Sequence, residues 1–204
     1  MEPASLALFA AVLTLGAASP GPAVVALVAR TLAHGRAGTL AFILGLACGD
    51  IVWLAAAALG LAALAAALGS LFFMVRLAGA AYLAYMAYRL WTAPATAPGD
   101  APAQRPGSAL GLYGAGLALT LSNPKTMAFY LALLPTLMDL GSLSLLGFGE
   151  MSGLILVVLT TVFAAYVHLA DRARRVIASR RAMRTLNRVC GAALAGAAVT
   201  VVAR

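Results

Sequence analysis

Lys125 is the only lysine in 204 residues; the other thirteen basic residues are arginines. It stands beside Pro124 inside the apolar stretch TLSNPKTMAFYLALLP, residues 120–135. An ammonium group in such surroundings is expensive and marks a solute path or a partnered charge. It could grip a carboxylate, carry a coupling proton, or balance an acid. Asp50, in GLACGD, is the one acid well inside another apolar run. It could bind an ammonium group, carry a proton, or pair with Lys125. Backbone chemistry adds to this. SPGP (Ser19, Pro20, Gly21, Pro22) and SNPK (Ser122, Asn123, Pro124, Lys125) each place proline within an apolar run. Proline lacks an N–H and clashes with the preceding turn, so Pro20, Pro22 and Pro124 free the carbonyls of Gly16, Ala18 and Thr120. Those carbonyls can accept from an ammonium group. Each break also restarts a helix, whose free N–H groups and positive dipole end favour an anion such as an amino-acid carboxylate.

The elements that must position these groups are membrane spans. Hydrophobic residues make up 63% of the chain and charged residues 10%, which excludes an ordinary water-soluble domain. A hydrocarbon layer about 30 Å thick needs roughly 20 apolar residues per helix. Six runs qualify, at 5–29, 38–66, 71–91, 109–134, 147–169 and 186–203. Glu2 and the lack of a basic leader make the first run a retained span, not a cleaved signal. The Pro/Ala-rich stretch TAPATAPGDAPAQRPGS reads as a flexible linker. The chain is therefore expected to be one membrane domain, residues 1–204. It comprises a first three-helix half (1–91), a cytoplasmic linker (92–108) and a second three-helix half (109–204). Eleven of the arginines fall on one side of these spans: Arg30, Arg36, Arg89, Arg105 and the seven between Arg172 and Arg188. By the positive-inside rule that side is cytoplasmic and both termini face out. The net charge of +8 thus reports topology and not a nucleic-acid partner.

An odd number of spans per half makes the halves antiparallel. The expected fold class is an all-α integral membrane protein of six transmembrane helices, arranged as two inverted three-helix repeats. Helices 1 and 4 are broken at PGP and NPK, and the two breaks meet near the midplane, where transporters of this design place their site. RLAGAA from Arg76 and RVCGAA from Arg188 are a faint internal echo of the repeat. Gly45 and Gly49 form GxxxG, which permits close helix packing and is also compatible with a homodimer. Tyr82 and Tyr85 are three apart and could share a cavity wall. The run DRARRVIASRRAMR reads as a cytoplasmic loop with affinity for anionic lipid, centred on the Arg172–Arg188 stretch. Cys48 and Cys190 are far apart in sequence, which disfavours a disulfide framework and a zinc site. No HExxH, aspartate pair or Ser/His couple lies in the spans, so an intramembrane enzyme is not expected, nor is a cofactor or resident metal.

The PGP break, GRAGTLAFILGLACGD, GAAYLAY and NPKTMAFYLALLP together resemble the LysE/RhtB family of bacterial amino-acid exporters, in order and spacing over nearly the whole chain. Carried over by position, Pro20, Gly21, Pro22, Asp50, Asn123, Pro124 and Lys125 match the family's motif residues. Arg76, Gly79, Tyr82 and Leu83 match its third-span element. The glycine usual after the Tyr-Leu element is replaced here, and the linker is unusually Ala/Pro-rich. The resemblance implies an exporter in the bacterial inner membrane that moves amino acids or derivatives by antiport, driven by the proton motive force. The substrate and coupling residues are expected to be Pro20, Gly21, Pro22, Asp50, Tyr82, Asn123, Pro124 and Lys125. Two alternatives are an exporter of another small solute or a metal ion, and a non-transporting membrane scaffold.

Overall fold

A backbone N–H or C=O in hydrocarbon has no water to bond, so apolar runs must satisfy their own backbone as helices. In the computed structural model the described residues form helices joined by short turns and contain no strand. Those residues are 2–19, 21–59, 107–137, 140 and 143–176, with isolated positions between 77 and 92 and between 184 and 199. Pro20, Arg76, Gly79, Tyr82, Leu83, Arg105, Asp139 and Cys190 lie outside them, as do most of the expected linker and of the third and sixth spans.

Helix α1 covers Pro3–Ala18 and α2 Pro22–His34, and the pair is bent by 56°. Glycines end α2 and start the next helix because the chain turns there through left-handed backbone, with φ of 68° at Gly35 and 72° at Gly38. Helix α3 follows at Thr39–Ala58. Helix α4 runs over Ala109–Leu121, opened by the Ser108 side chain accepting from Gly111 N. The chain restarts as α5, Pro124–Ala128, passes through a π-helical turn at Phe129–Leu133, and ends in α6, Leu134–Leu137. Helix α7, Leu145–Val176, has 32 residues. At about 1.5 Å per residue it is roughly 48 Å long, well beyond the hydrocarbon thickness. Among the described residues α3 and α7 are each long and apolar enough to cross a membrane, and the bent α1–α2 pair passes the same test as one span.

The closest packing joins α3 to α4. A methyl group on Gly45 would strike the Tyr113 carbonyl, and one on Gly116 the Phe42 carbonyl. One on Gly49 would fall 2.6 Å from Thr120 Cβ. Small residues on both helices let the backbones touch, which is what holds helices together where lipid removes the hydrophobic drive. The GxxxG face is therefore filled within the protomer, and a homodimer would need another surface. The core beside this seam includes Phe42, Leu46, Leu119 and Tyr130, all fully buried.

The arginine-rich run departs from the expected loop. Its first part, Asp171–Val176, is not a loop but the continuation of α7. That extension brings Arg36 Nε to 3.0 Å from Asp171 Oδ2, and Arg36 Nη2 to 2.7 Å from His168 Nδ1. Asp171 is almost wholly buried there, while Arg36 is half exposed. Arg30, itself buried, donates from Nη2 to Ala37 O at 2.8 Å and braces the turn between α2 and α3.

Candidate functional site

The chain interruptions between α1 and α2 and between α4 and α5 open onto one cavity of about 520 Å³. Its wall includes Gly16, Ser19 and Gly21 from the first, and Asn123, Lys125 and Thr126 from the second, with Asp50 from α3. Leu159 and Phe163 of α7 and Val12 and Leu13 of α1 complete it with apolar surface.

The expected free carbonyls are not free. Lys125 Nζ donates to Gly16 O at 2.9 Å and to Ser19 O at 2.7 Å. Tyr166 Oη, from α7, donates to Ala18 O at 2.6 Å. Trp53 Nε1 donates to Thr120 O at 3.3 Å, and Asn123 N also reaches that oxygen at 3.1 Å. All three carbonyls that proline strips of a helical donor thus receive one, chiefly from side chains of other elements. The physical reason is the price of an unpaired carbonyl in a low-dielectric interior. A solute ammonium would have to displace one of these donors.

Lys125 spans the gap because its stem lies along Gly21, where a Cβ would sit 3.4 Å from Lys125 Cδ. An ammonium carries three donors. Two are used, and among the described residues the third meets no acceptor. Asp50 forms no ion pair with Lys125. The carboxyl lies instead in the neighbourhood of the fully buried Tyr130, whose hydroxyl makes no hydrogen bond among the described residues. The two ionisable groups therefore line the same cavity without pairing with each other.

Asn123 has a structural task as well as a place on the wall. Its Oδ1 accepts from Lys125 N at 3.1 Å and caps α5. That uses up one N–H that was expected to face an anion. The start of α2 is different: Pro22 occupies its first turn, and Gly21 offers no side-chain cap. Ala23 and Val24 of that turn line the cavity, so this helix start faces the space with its positive end.

Four residues at the site were not anticipated from sequence: Tyr166, Trp53, Tyr130 and Phe129. A signal for the first two existed. Carbonyls freed by proline demand donors, and Tyr and Trp away from the ends of apolar runs are natural suppliers. Nothing in the linear pattern marks the π-helical turn that carries Phe129 and Tyr130. Their rings meet edge to face, with centroids 4.9 Å apart.

Comparison with known proteins identifies the family. A family model described as LysE type translocator matches residues 14–204. An uncharacterised membrane protein of Synechocystis is 30% identical over 189 residues, 92% of this chain and 89% of its own. A homoserine/homoserine lactone efflux protein of Salmonella typhimurium is 28% identical over 178 residues, 87% of this chain and 86% of its own. The chemotactic transduction protein ChpE of Pseudomonas aeruginosa is 38% identical over 137 residues, 63% of this chain and 64% of its own. No solved structure matches. With a family model covering nearly its full length, the chain belongs to the LysE-type translocators, a family of membrane exporters and not of enzymes.

Proposed function

We propose that the protein is a secondary active exporter of amino acids or close derivatives, working as an antiporter driven by the proton motive force. One observation carries the reading: a single cavity is lined by Lys125, Asp50 and the residues flanking both chain interruptions. A zwitterion finds complementary groups there. Its carboxylate goes to the uncapped start of α2 and the unused Lys125 hydrogen, and its ammonium group goes to Asp50. Asp50 is also the coupling group, since an intramembrane carboxyl is a common proton carrier in transporters. The efflux function named for the Salmonella relative supports the same class of solute.

The finer architecture belongs to this proposal. It has six spans in two inverted halves, residence in the bacterial inner membrane, and both termini outside the cytoplasm. Pro20, Gly21, Pro22 and Tyr82 complete the site with Asn123, Pro124 and Lys125. Anionic lipid meets the arginines from Arg172 to Arg188, on an α7 extension and the chain that follows. A transition-metal cargo fits less well, because among the described residues the cavity wall has one carboxylate and neither imidazole nor thiol.

The test is counterflow in proteoliposomes. Labelled amino acids are screened with and without a proton gradient, in protein shown to be folded. Export predicts flux for at least one amino acid and acceleration by the gradient. No flux for any amino acid would refute the reading.

A further inference from the structure

The polar groups of the cavity account for the head of an amino acid and leave a large apolar remainder. Its volume of about 520 Å³ falls among small-molecule sites of about 300–1,000 Å³, ample for a head group and a sizeable side chain. The wall beyond the polar groups is formed by Val12, Leu13, Phe129, Leu133, Leu159 and Phe163.

Phe129 has a particular place in it. Lys125, Phe129 and Leu133 follow at four-residue spacing, and all three line the cavity. A four-residue stride overruns the 3.6-residue turn of an α-helix and falls short of the wider π-turn. The π-turn at Phe129–Leu133 therefore cancels the drift and keeps the three side chains on one wall. Phe129 also lies over α1, where a methyl on Gly16 would sit 3.9 Å from its ring. Gly16 in turn supplies a carbonyl to Lys125. The ring that meets the side chain of a bound solute is thus fixed to the same backbone that anchors the charged group.

Two other side-chain chemistries fit poorly. A second cation would lie on a wall whose one carboxylate, among the described residues, is Asp50, already needed for the ammonium group. A hydroxylated side chain would give up water at the stretch of wall formed by Val12, Leu13, Phe129, Leu133, Leu159 and Phe163, which has no hydrogen bond to return; the hydroxyl and amide groups of the wall, at Ser19, Thr120, Asn123 and Thr126, lie with the polar head site.

From these contacts we infer that Phe129 and Phe163 set specificity, and that the cargo is an amino acid whose side chain is apolar and between leucine and phenylalanine in size. The inference rests on the amino-acid export reading. It is tested by counterflow in proteoliposomes loaded with unlabelled L-leucine, L-phenylalanine, L-homoserine or L-lysine, with the same compound labelled outside. Leucine and phenylalanine should move at least about tenfold faster than the other two, since one methylene in an apolar pocket is worth roughly tenfold or more. Phe129→Ala should bring the leucine-to-homoserine ratio near unity, and Phe129→Leu should preserve it. Leu133 lines the cavity and is 43% exposed. Leu133→Thr therefore probes the wall with little effect on packing and should narrow the ratio severalfold even if Phe129→Ala does not fold. Homoserine or lysine moving as fast as leucine would overturn the inference, as would an unchanged ratio in folded Phe129→Ala or Leu133→Thr. Flux of no amino acid at all would instead refute the export reading beneath it.

Discussion

Replacing Lys125 with methionine keeps the stem and removes the ammonium, so it isolates what that group does. In the wild type, Nζ holds two carbonyls of the first interruption, Gly16 O and Ser19 O. A hydrogen bond from a charged donor is worth about 1.5–3 kcal/mol, and two give roughly 3–6 kcal/mol. Lys125 is exposed at the cavity, so water can reach the abandoned carbonyls and take over part of the loss. The expected destabilisation is then about 1–3 kcal/mol, with the exposed charge discounted for solvent screening. At about 2–4 °C per kcal/mol for a chain of this length, the Tm in mild detergent should fall by roughly 2–12 °C. Tyr166→Phe removes a single neutral donor from Ala18 O and should lower stability by about 1 kcal/mol. Because both side chains hold one joint, the double variant should depart from additivity by about 0.5 kcal/mol or more. Counterflow separates the staple from the site. A lower Tm with normal flux would leave Lys125 a staple alone. A Lys125→Met protein with wild-type Tm and wild-type flux would refute both roles.

Asp50→Asn should abolish acceleration by a proton gradient while solute exchange persists, measured as gradient-driven against equilibrium flux in one preparation; equal sensitivity to the gradient would remove Asp50 from coupling. Gly116→Ala should destabilise by about 1–3 kcal/mol, because its methyl meets the Phe42 backbone. Gly114→Ala, with open space around it, should be neutral or stabilise by up to about 1 kcal/mol, so thermal unfolding of the pair reads the α3–α4 seam. Asp171→Asn removes the buried partner of Arg36 and should lower Tm in a way that Arg36→Gln does not add to, given that both break the same pair. Single cysteines at positions 36 and 141 should react with an impermeant thiol reagent only from the cytoplasm and only from outside, respectively; the reverse pattern would invert the proposed topology.

The helical class, the apolar runs and the two proline-bearing stretches could be read in the sequence because each follows from local chemistry. Apolar length dictates a span, and proline removes a donor at a known offset. Partners that depend on tertiary approach could not be read in that way. Pro22 announces that Ala18 O needs a donor but says nothing of Tyr166, 148 residues away. Lys125 and Asp50 suggest an ion pair on charge alone, yet the ammonium goes to carbonyls and the carboxyl to the neighbourhood of a tyrosine. The extent of α7 exceeds its apolar run for a simpler reason. Arginines after an apolar run signal the membrane surface, but they are good helix formers, so the end of a span need not be the end of its helix.

These contacts also bear on why the chain uses lysine once and arginine everywhere else. The described arginines that have assigned contacts hold fixed structure: Arg36 bridges Asp171 and His168, and Arg30 braces the turn at Ala37. A planar guanidinium with its donors in a rigid fork suits such static pairing. The joint between α1 and α2 asks for something else. Its two acceptors are backbone carbonyls of different residues, and the donor must hold both while keeping a hydrogen for a solute. A compact ammonium with three donors on a four-carbon stem can reach both carbonyls and still present one hydrogen to the cavity. It can also part with a proton, which a guanidinium does not. Lys125→Arg is thus expected to keep the charge and lose transport, because the fork cannot reproduce both carbonyl bonds from Gly21's narrow flank, while Lys125→Met loses charge and transport together. Transport by Lys125→Arg at the wild-type rate would show that the site needs only a positive charge and that the reach of the ammonium is immaterial.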